Sequence, residues 1–320
     1  MEAETRYHPS PEQLELGSSI DESLAALLPL SRLHASHLED PGTWTSLEEI
    51  GVFGIGVSEE LGGSGLGAVE EALIVMGLGS RLASPGVLAT VGAVHVQGAV
   101  RPESIRGKRV AAAYRSGDRI IIVDEPGAAL VLVRDLGGAV LCDASTGASR
   151  TIDDRLWLAT LREAPVGEQL VRFDEPQLAR LRLIDAAALS GMAEATLKMS
   201  VAYAGMREQF GRPIGSFQAV KHHCADMAIA ARCARDQTAF AAVALDDGRA
   251  DAQLQVECAF AVAASAALEN AGKNIQIHGG MGFSDEADPH LFLKRAQLQI
   301  TIAGGLEAAG RRIANTKADL

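Results

Sequence analysis

The feature that most restricts what this chain can fold into is a hydrophobic period that changes twice. From Ser10 to about Val100 the apolar residues recur at helical spacing. Between about Gly107 and Phe173 they shrink to short runs split by Gly, Asp and Pro, and from Pro176 to Leu320 the helical spacing returns with few prolines. Helices and strands impose different side-chain periods, so the chain reads as helical, then strand-rich, then helical. Ser10-Pro11-Glu12 reads as a helix start, and glycines at 51, 54, 56, 62, 63, 65 and 67 punctuate the first part. The runs 119–123, 129–133 and 139–142 read as strands, parted by turns at Asp124-Glu125-Pro126-Gly127 and Asp135-Leu136-Gly137-Gly138. Helices are predicted at 177–207, 216–246, 250–278 and 287–315, with Gly248 and Gly279-Gly280 where helix C-termini need positive φ. Long helices on short links predict an antiparallel four-helix bundle. The expected organisation is α+β: an N-terminal helical domain over 1–100, a central β domain over 101–174 and the bundle over 175–320.

Composition removes several functions. The longest apolar stretch, residues 258–268 with one interrupting serine, is too short to span a bilayer, and glutamates rather than a basic segment open the chain. A soluble protein of the cytoplasm, without membrane partners, is expected. Lys+Arg 29 against Asp+Glu 41 leaves a net charge of −12, which argues against nucleic acid, whose binding rests on neutralised phosphates. Cys142, Cys224, Cys233 and Cys258 form no CxxC pair, so neither zinc nor a disulfide framework is indicated. Aromatic residues make up 4% of the chain, which predicts a mostly aliphatic core.

Three motifs invite chemistry. Gly63-Ser64-Gly65-Leu66-Gly67-Ala68 fits a dinucleotide fingerprint, yet no strand-like run precedes it and no carboxylate follows between Ser80 and Gly92, so it reads as an interhelical loop. Lys221-His222-His223-Cys224 with Asp226 gathers metal-ligand types, but on one helix only His222 and Asp226 share a face; no metal site is expected. There is no G-x-S-x-G elbow. The third motif runs from Arg207-Glu208-Gln209-Phe210-Gly211-Arg212-Pro213 through Phe217-Gln218, ending one long helix and starting the next. An arginine there suits a phosphate and the phenylalanines a flat apolar wall. A plain helix corner with a dipole-favoured cation fits the same residues.

Together with Gln276-Ile277-His278-Gly279-Gly280-Met281-Gly282, that third motif resembles the paired signature of the acyl-CoA dehydrogenase family. Trp44, Leu47, the stretch from Gly51 to Val57 and Glu60 to Gly65 are similar to its N-terminal segment, and 129–133 and 151–153 to later strands of its central domain. The resemblance implies FAD as cofactor and α,β-desaturation of an acyl-CoA thioester: a carboxylate removes the α-proton while the flavin takes a hydride. It implies cofactor-binding roles for Arg207, Gln209, Phe210, Phe217, Gln218, Gln276, Gly279 and Gly280, reaching across to a neighbouring subunit's FAD, and a substrate role for Arg182.

Other positions depart from the family. Thr301-Ile302-Ala303-Gly304-Gly305 stands where its I-Y-E-G-T stretch would be, so Ala303 replaces the glutamate base, and the alternative base position holds Leu181. Between Arg101 and Asp174 there are only 74 residues, and no T-E-P-x-x-G-S-D-like segment is found; Glu125-Pro126-Gly127 reads better as a turn. The chain therefore resembles the shortened subunit of α2β2 acyl-CoA dehydrogenases of actinobacterial sterol degradation, with a catalytic dehydrogenase subunit as partner. Two other readings stay open: a self-sufficient flavoenzyme with its base at Asp185 or Glu194, and a non-catalytic scaffold of the same fold.

Overall fold

The computed structural model describes residues 6–36, 38–96, 105, 107–123, 125–145, 147, 149–153 and 159–316. The expected junction at 100–101, and Asp124 of the first expected turn, lie outside these residues. The N-terminal part holds helices α1 (Pro11–Leu27), α2 (Pro41–Glu49), α3 (Ala68–Ser80) and α4 (Pro85–Ala93). Ser10 is the cap expected of it: its hydroxyl accepts the Gln13 N–H while the Gln13 side chain accepts the Ser10 N–H, and Pro11 fills the first turn.

Seven strands follow: β1 (Val110–Ser116), β2 (Arg119–Val123), β3 (Leu130–Asp135), β4 (Gly138–Asp143), β5 (Arg150–Asp153), β6 (Leu161–Glu163) and β7 (Gln169–Arg172). They form one sheet in the order β5-β6-β2-β1-β3-β4-β7, antiparallel except where β1 runs parallel to β3. The three strands read from sequence are β2, β3 and β4, and 151–153 falls within β5. β1, β6 and β7 give no clear strand signal in the sequence: three of the seven residues of β1 are alanine, and β6 and β7 are short and half-exposed. One sheet face packs Val110, Leu130, Leu132 and Leu141 against Ala89, Leu181 and Ile302 of the helices. The other carries a smaller apolar cluster of Ala111, Val131, Val133 and Cys142.

The C-terminal helices are α5 (Glu175–Met206), α6 (Gln218–Asp246), α7 (Ala252–His278), α8 (Pro289–Ile302) and α9 (Leu306–Asn315). The single helix expected over 287–315 is two. Gly304 and Gly305 take φ values of 93° and 85°, which an α-helix cannot hold, so the chain turns there and α9 starts afresh. Among the described residues no helix is long and apolar enough to cross a membrane.

Small residues let the layers approach closely. A Cβ on Gly79 of α3 would stand 2.1 Å from the Ala188 carbonyl oxygen of α5, and one on Gly191 of α5 would stand 2.0 Å from the Met76 carbonyl oxygen of α3. These reciprocal glycines seat the N-terminal helices on the bundle backbone to backbone, and buried alanines fill much of the surrounding core. A polar lock lies at the other end of α3. Asp246, the last residue of α6, accepts the N–H groups of Ala68 at 2.6 Å and Val69 at 3.1 Å. Replacing it by alanine orphans two helix-start donors and is expected to cost about 1–2 kcal/mol; the urea midpoint of Asp246→Ala measures it, and an unchanged midpoint would refute the lock.

Candidate functional site

The segment after α5 builds a compact helix corner. Arg207 leaves the helix in extended conformation, and two short strands, β8 (Glu208–Gln209) and β9 (Arg212–Pro213), pair across Phe210 and Gly211. Both turn residues have positive φ, 53° and 74°, the backbone of a tight two-residue hairpin. Glycine accepts this freely, but a bulky phenylalanine does so only under strain of order 1–3 kcal/mol, a cost that concentrates at functional sites. Phe210 is 91% exposed. Its ring meets Phe217 edge-on at 6.1 Å, and the Arg212 guanidinium lies 4.2 Å from the centre of the Phe217 ring. The Ile214 N–H, donating to the Arg207 carbonyl at 2.7 Å, closes the corner.

The second motif arrives at the same end of the bundle. Gln276 is exposed on the last turn of α7, and Gly279 ends that helix at φ 62° and ψ −137°, a conformation that glycine supplies. Tyr203 of α5 stacks on His278 with ring centres 4.0 Å apart, and Ala204, Met227, Ile214 and Ile277 form a small core beneath. Burial pushes the His278 imidazole below its ordinary pKa, while its contact with the Asn274 carbonyl at 2.8 Å opposes the shift. Arg207, Gln209, Phe210, Gln218, Gln276, Gly279 and Gly280 are exposed at this end, with Phe217 half-buried beside them. Arg207 forms no ion pair among the described residues, and a Cβ on Gly279 or Gly280 would meet nothing within 4 Å. The surface is open, with Met206 and Phe283 about three-quarters exposed near these motifs.

The positions of the family base lie elsewhere. Ala303 ends α8 and Leu181 sits in α5, both buried. Leu181 and Ile302 line a cavity of about 20 Å³ with Leu88, Ala89, Leu132 and Asp185, space for one water and no acyl chain. Asp185 is 1% exposed. One oxygen accepts from Arg134 of β3 at 2.8 Å and from Gln299 of α8 at 2.8 Å, and the other lies 2.7 Å from the same arginine nitrogen. Burial raises the Asp185 pKa, and Arg134 opposes that rise. Sequence reasoning named Asp185 but not these partners, which stand 51 and 114 residues away and leave no local signal.

Two other candidates lie outside that cavity lining. Glu194 is held by Lys198 at 3.0 Å and Arg235 at 2.9 Å. Arg182 is turned onto Glu257 at 2.9 Å, where Arg312 also pairs at 2.8 Å. Burial presses the Arg182 guanidinium below its ordinary pKa, with Glu257 opposing. The substrate contact implied for Arg182 thus meets a side chain already engaged in a buried ion-pair cluster.

The Gly63–Ala68 loop is likewise filled by its own chain. The N–H groups of Gly63, Ser64, Gly65 and Leu66 donate to the carbonyls of Ser58, Gly54, Val57 and Ile55, and Asp246 occupies the N-terminus of α3 where a pyrophosphate would have to sit. Glu125-Pro126-Gly127 lies between β2 and β3, with Gly127 at φ 79° and the Ala128 N–H donating to the Glu125 carbonyl at 3.1 Å. In the 221–226 run Asp226 pairs with Lys273, and no three metal-ligating side chains gather among the described residues.

A helical bundle, a sheet packed against it and an exposed helix corner carrying a cation, side-chain amides and two phenylalanine rings make up the architecture. Family comparison is direct: the acyl-CoA dehydrogenase N-terminal domain matches residues 10–101 and the C-terminal domain residues 172–317. The chain belongs to the acyl-CoA dehydrogenase family. Acyl-CoA dehydrogenase IpdE2 of Mycobacterium tuberculosis is 32% identical over 270 residues, covering 80% of each chain. Acyl-CoA dehydrogenase FadE34 of the same organism is 33% identical over 304 residues, 84% of this chain but 40% of that relative, so the chain spans two fifths of its length. Among solved structures, the ChsE4-ChsE5 complex from Mycobacterium tuberculosis superposes with a TM-score of 0.76 at 23% identity, covering 98% of this chain and 100% of that one. The Tcur3481-Tcur3483 steroid ACAD G363A variant gives 0.76 at 23% identity, over 95% and 97%.

FAD is the cofactor of this family. The donor set fits its anionic part: Arg207 is an exposed cation with no ion pair among the described residues, and Gln209, Gln218 and Gln276 are exposed amides, with the exposed Phe210 ring beside Phe217. If Asp185 is the structural counter-ion that the geometry makes it, Asp185→Ala leaves Arg134 buried and unpaired and costs about 3–5 kcal/mol, read as a lowered urea midpoint. Loss of dehydrogenation by the isolated chain with an unchanged midpoint would assign it the base's role instead.

Proposed function

We propose that this chain is the base-free subunit of a heteromeric acyl-CoA dehydrogenase and completes the FAD site of a catalytic partner. The observation that carries the reading is a division within one molecule: the Arg207–Gln276 end is exposed, with no ion pair on Arg207 among the described residues, while Ala303 and Leu181 leave both family base positions without a carboxylate and Leu181 borders a space of only about 20 Å³. FAD, when bound, supplies the hydride acceptor for α,β-desaturation of an acyl thioester.

This chain's residues act by binding and orienting. Arg207 presents charge-assisted donors to a pyrophosphate arriving from the partner, and Gln209, Gln218 and Gln276 offer amide groups around it. Phe210, held out on its strained turn, and Met206, Met281 and Phe283 form an apolar surface of the kind that a partner subunit covers. Gly279 and Gly280 leave room for close backbone approach. The Tyr203–His278 stack fixes the two motifs against each other. Proton abstraction belongs to the partner, because apolar residues stand at both base positions here. The heteromeric assembly and a steroid-derived acyl group are supported by likeness to ChsE4-ChsE5, described as a complex, and to a steroid ACAD.

The test is expression alone and together with a full-length dehydrogenase from the same genome. Colourless, inactive protein alone and a yellow, active complex are expected; yellow, active protein from this chain alone would sink the proposal. Within the complex, Arg207→Ala removes hydrogen bonds to a charged group, each of about 1.5–3 kcal/mol. FAD retention on gel filtration should therefore weaken by at least about ten-fold, and unchanged flavin occupancy would remove Arg207 from the site.

A further inference from the structure

Apart from the proposed cofactor surface, the N-terminal part holds a cavity of about 410 Å³ beside the residues that lead into the central strand β1, within the size range of small-molecule sites. Its walls come from α2, the glycine loop, α4 and the residues entering β1. Phe53, Val57, Leu61, Val94 and Ile105 give it an apolar patch within an otherwise polar lining, and Trp44 stacks on Phe53 with ring centres 5.1 Å apart. An aromatic pair is notable in a chain with 4% aromatic residues. Positive φ at Gly51, Gly62 and Gly65 shapes the loop wall, and Gly63 lies so close to Val57 that a Cβ would stand 2.3 Å from its carbonyl oxygen.

Charge at this cavity is asymmetric. Lys108 and Arg109 are half-buried in its lining, and the Arg109 guanidinium lies 4.8 Å from the centre of the Trp44 indole. Lys108 has no ion-pair partner among the described residues. Glu48, the acidic residue in the lining, is exposed and screened by solvent, so the half-buried cations dominate the field. The Trp44 indole N–H is buried without a hydrogen-bond partner among the described residues, and an acceptor reaching it would satisfy that donor. The N–H groups of Gly63, Ser64, Gly65 and Leu66 are turned onto loop carbonyls, so this stretch offers no backbone cradle for a phosphate; an anion here is met by side chains.

From these features we infer that the cavity is a binding site for a small monocarboxylate with a compact apolar body, its carboxylate on Lys108 and Arg109 and its hydrocarbon against Phe53, Val57 and Ile105. The site stands on its own geometry and is independent of the flavin reading.

Isothermal titration of the purified chain, or of its complex, with octanoate and cyclohexanecarboxylate tests it, with octanamide and inorganic phosphate as controls. Saturable one-site binding of both acids is expected, with octanamide at least ten-fold weaker and phosphate not bound. Lys108→Gln should weaken octanoate at least ten-fold and leave octanamide unchanged, which separates lost charge from lost fold; Lys108→Arg should restore it. Ser64→Phe, adding bulk from an exposed rim position, should abolish both ligands with an unaltered circular dichroism spectrum. No saturable heat with either acid, phosphate binding as tight as octanoate, or undiminished octanoate binding by Lys108→Gln would each overturn the assignment.

Discussion

One buried carboxylate joins the layers of this molecule. Asp185 of α5 is gripped by Arg134 of β3 and Gln299 of α8, so a single side chain binds sheet, central helix and last long helix into one unit. Desolvating such a pair is expensive, and its geometry returns that cost only while all members stay in place. Around it Leu181, Leu88 and Ile302 leave a space of only about 20 Å³. The proposed cofactor contacts lie away from this clamp, at the exposed end of the bundle.

That end is built from contradictory preferences. Phe210 occupies a left-handed backbone position and exposes nearly its whole ring, two costs that packing within this chain does not offset. The exposed Arg207 cation makes no ion pair among the described residues, whereas half-buried arginines are paired, as Arg32 with Glu39 and Arg182 with Glu257 show. Features that make little sense in a lone subunit make sense as one wall of a shared site.

Much of the architecture could be read from the chain because it rests on local rules. Ser10 capping, the turn at 135–138 and the glycines ending α6 and α7 follow from side-chain chemistry within a few residues. The break of α8 from α9 lay in Gly304-Gly305 and was passed over because the apolar spacing continues across it. β1 escaped because alanine gives no strand signal until a sheet surrounds it. For the site, the motif residues were legible as a family pattern, while Tyr203 against His278 was not, since stacking joins residues 75 positions apart.

By itself the sequence determined the order of helical and strand-rich parts, the motif residues at two helix ends and the absence of a carboxylate at positions 181 and 303, because each depends on residue identity or short-range periodicity. Tertiary packing alone sets that Arg182 faces Glu257, that Asp185 is clamped, that a space of only about 20 Å³ remains beside Leu181 and that a separate cavity of about 410 Å³ opens beside Trp44. Those outcomes are set by which distant side chains meet, and long-range packing and burial leave no periodic trace in the chain.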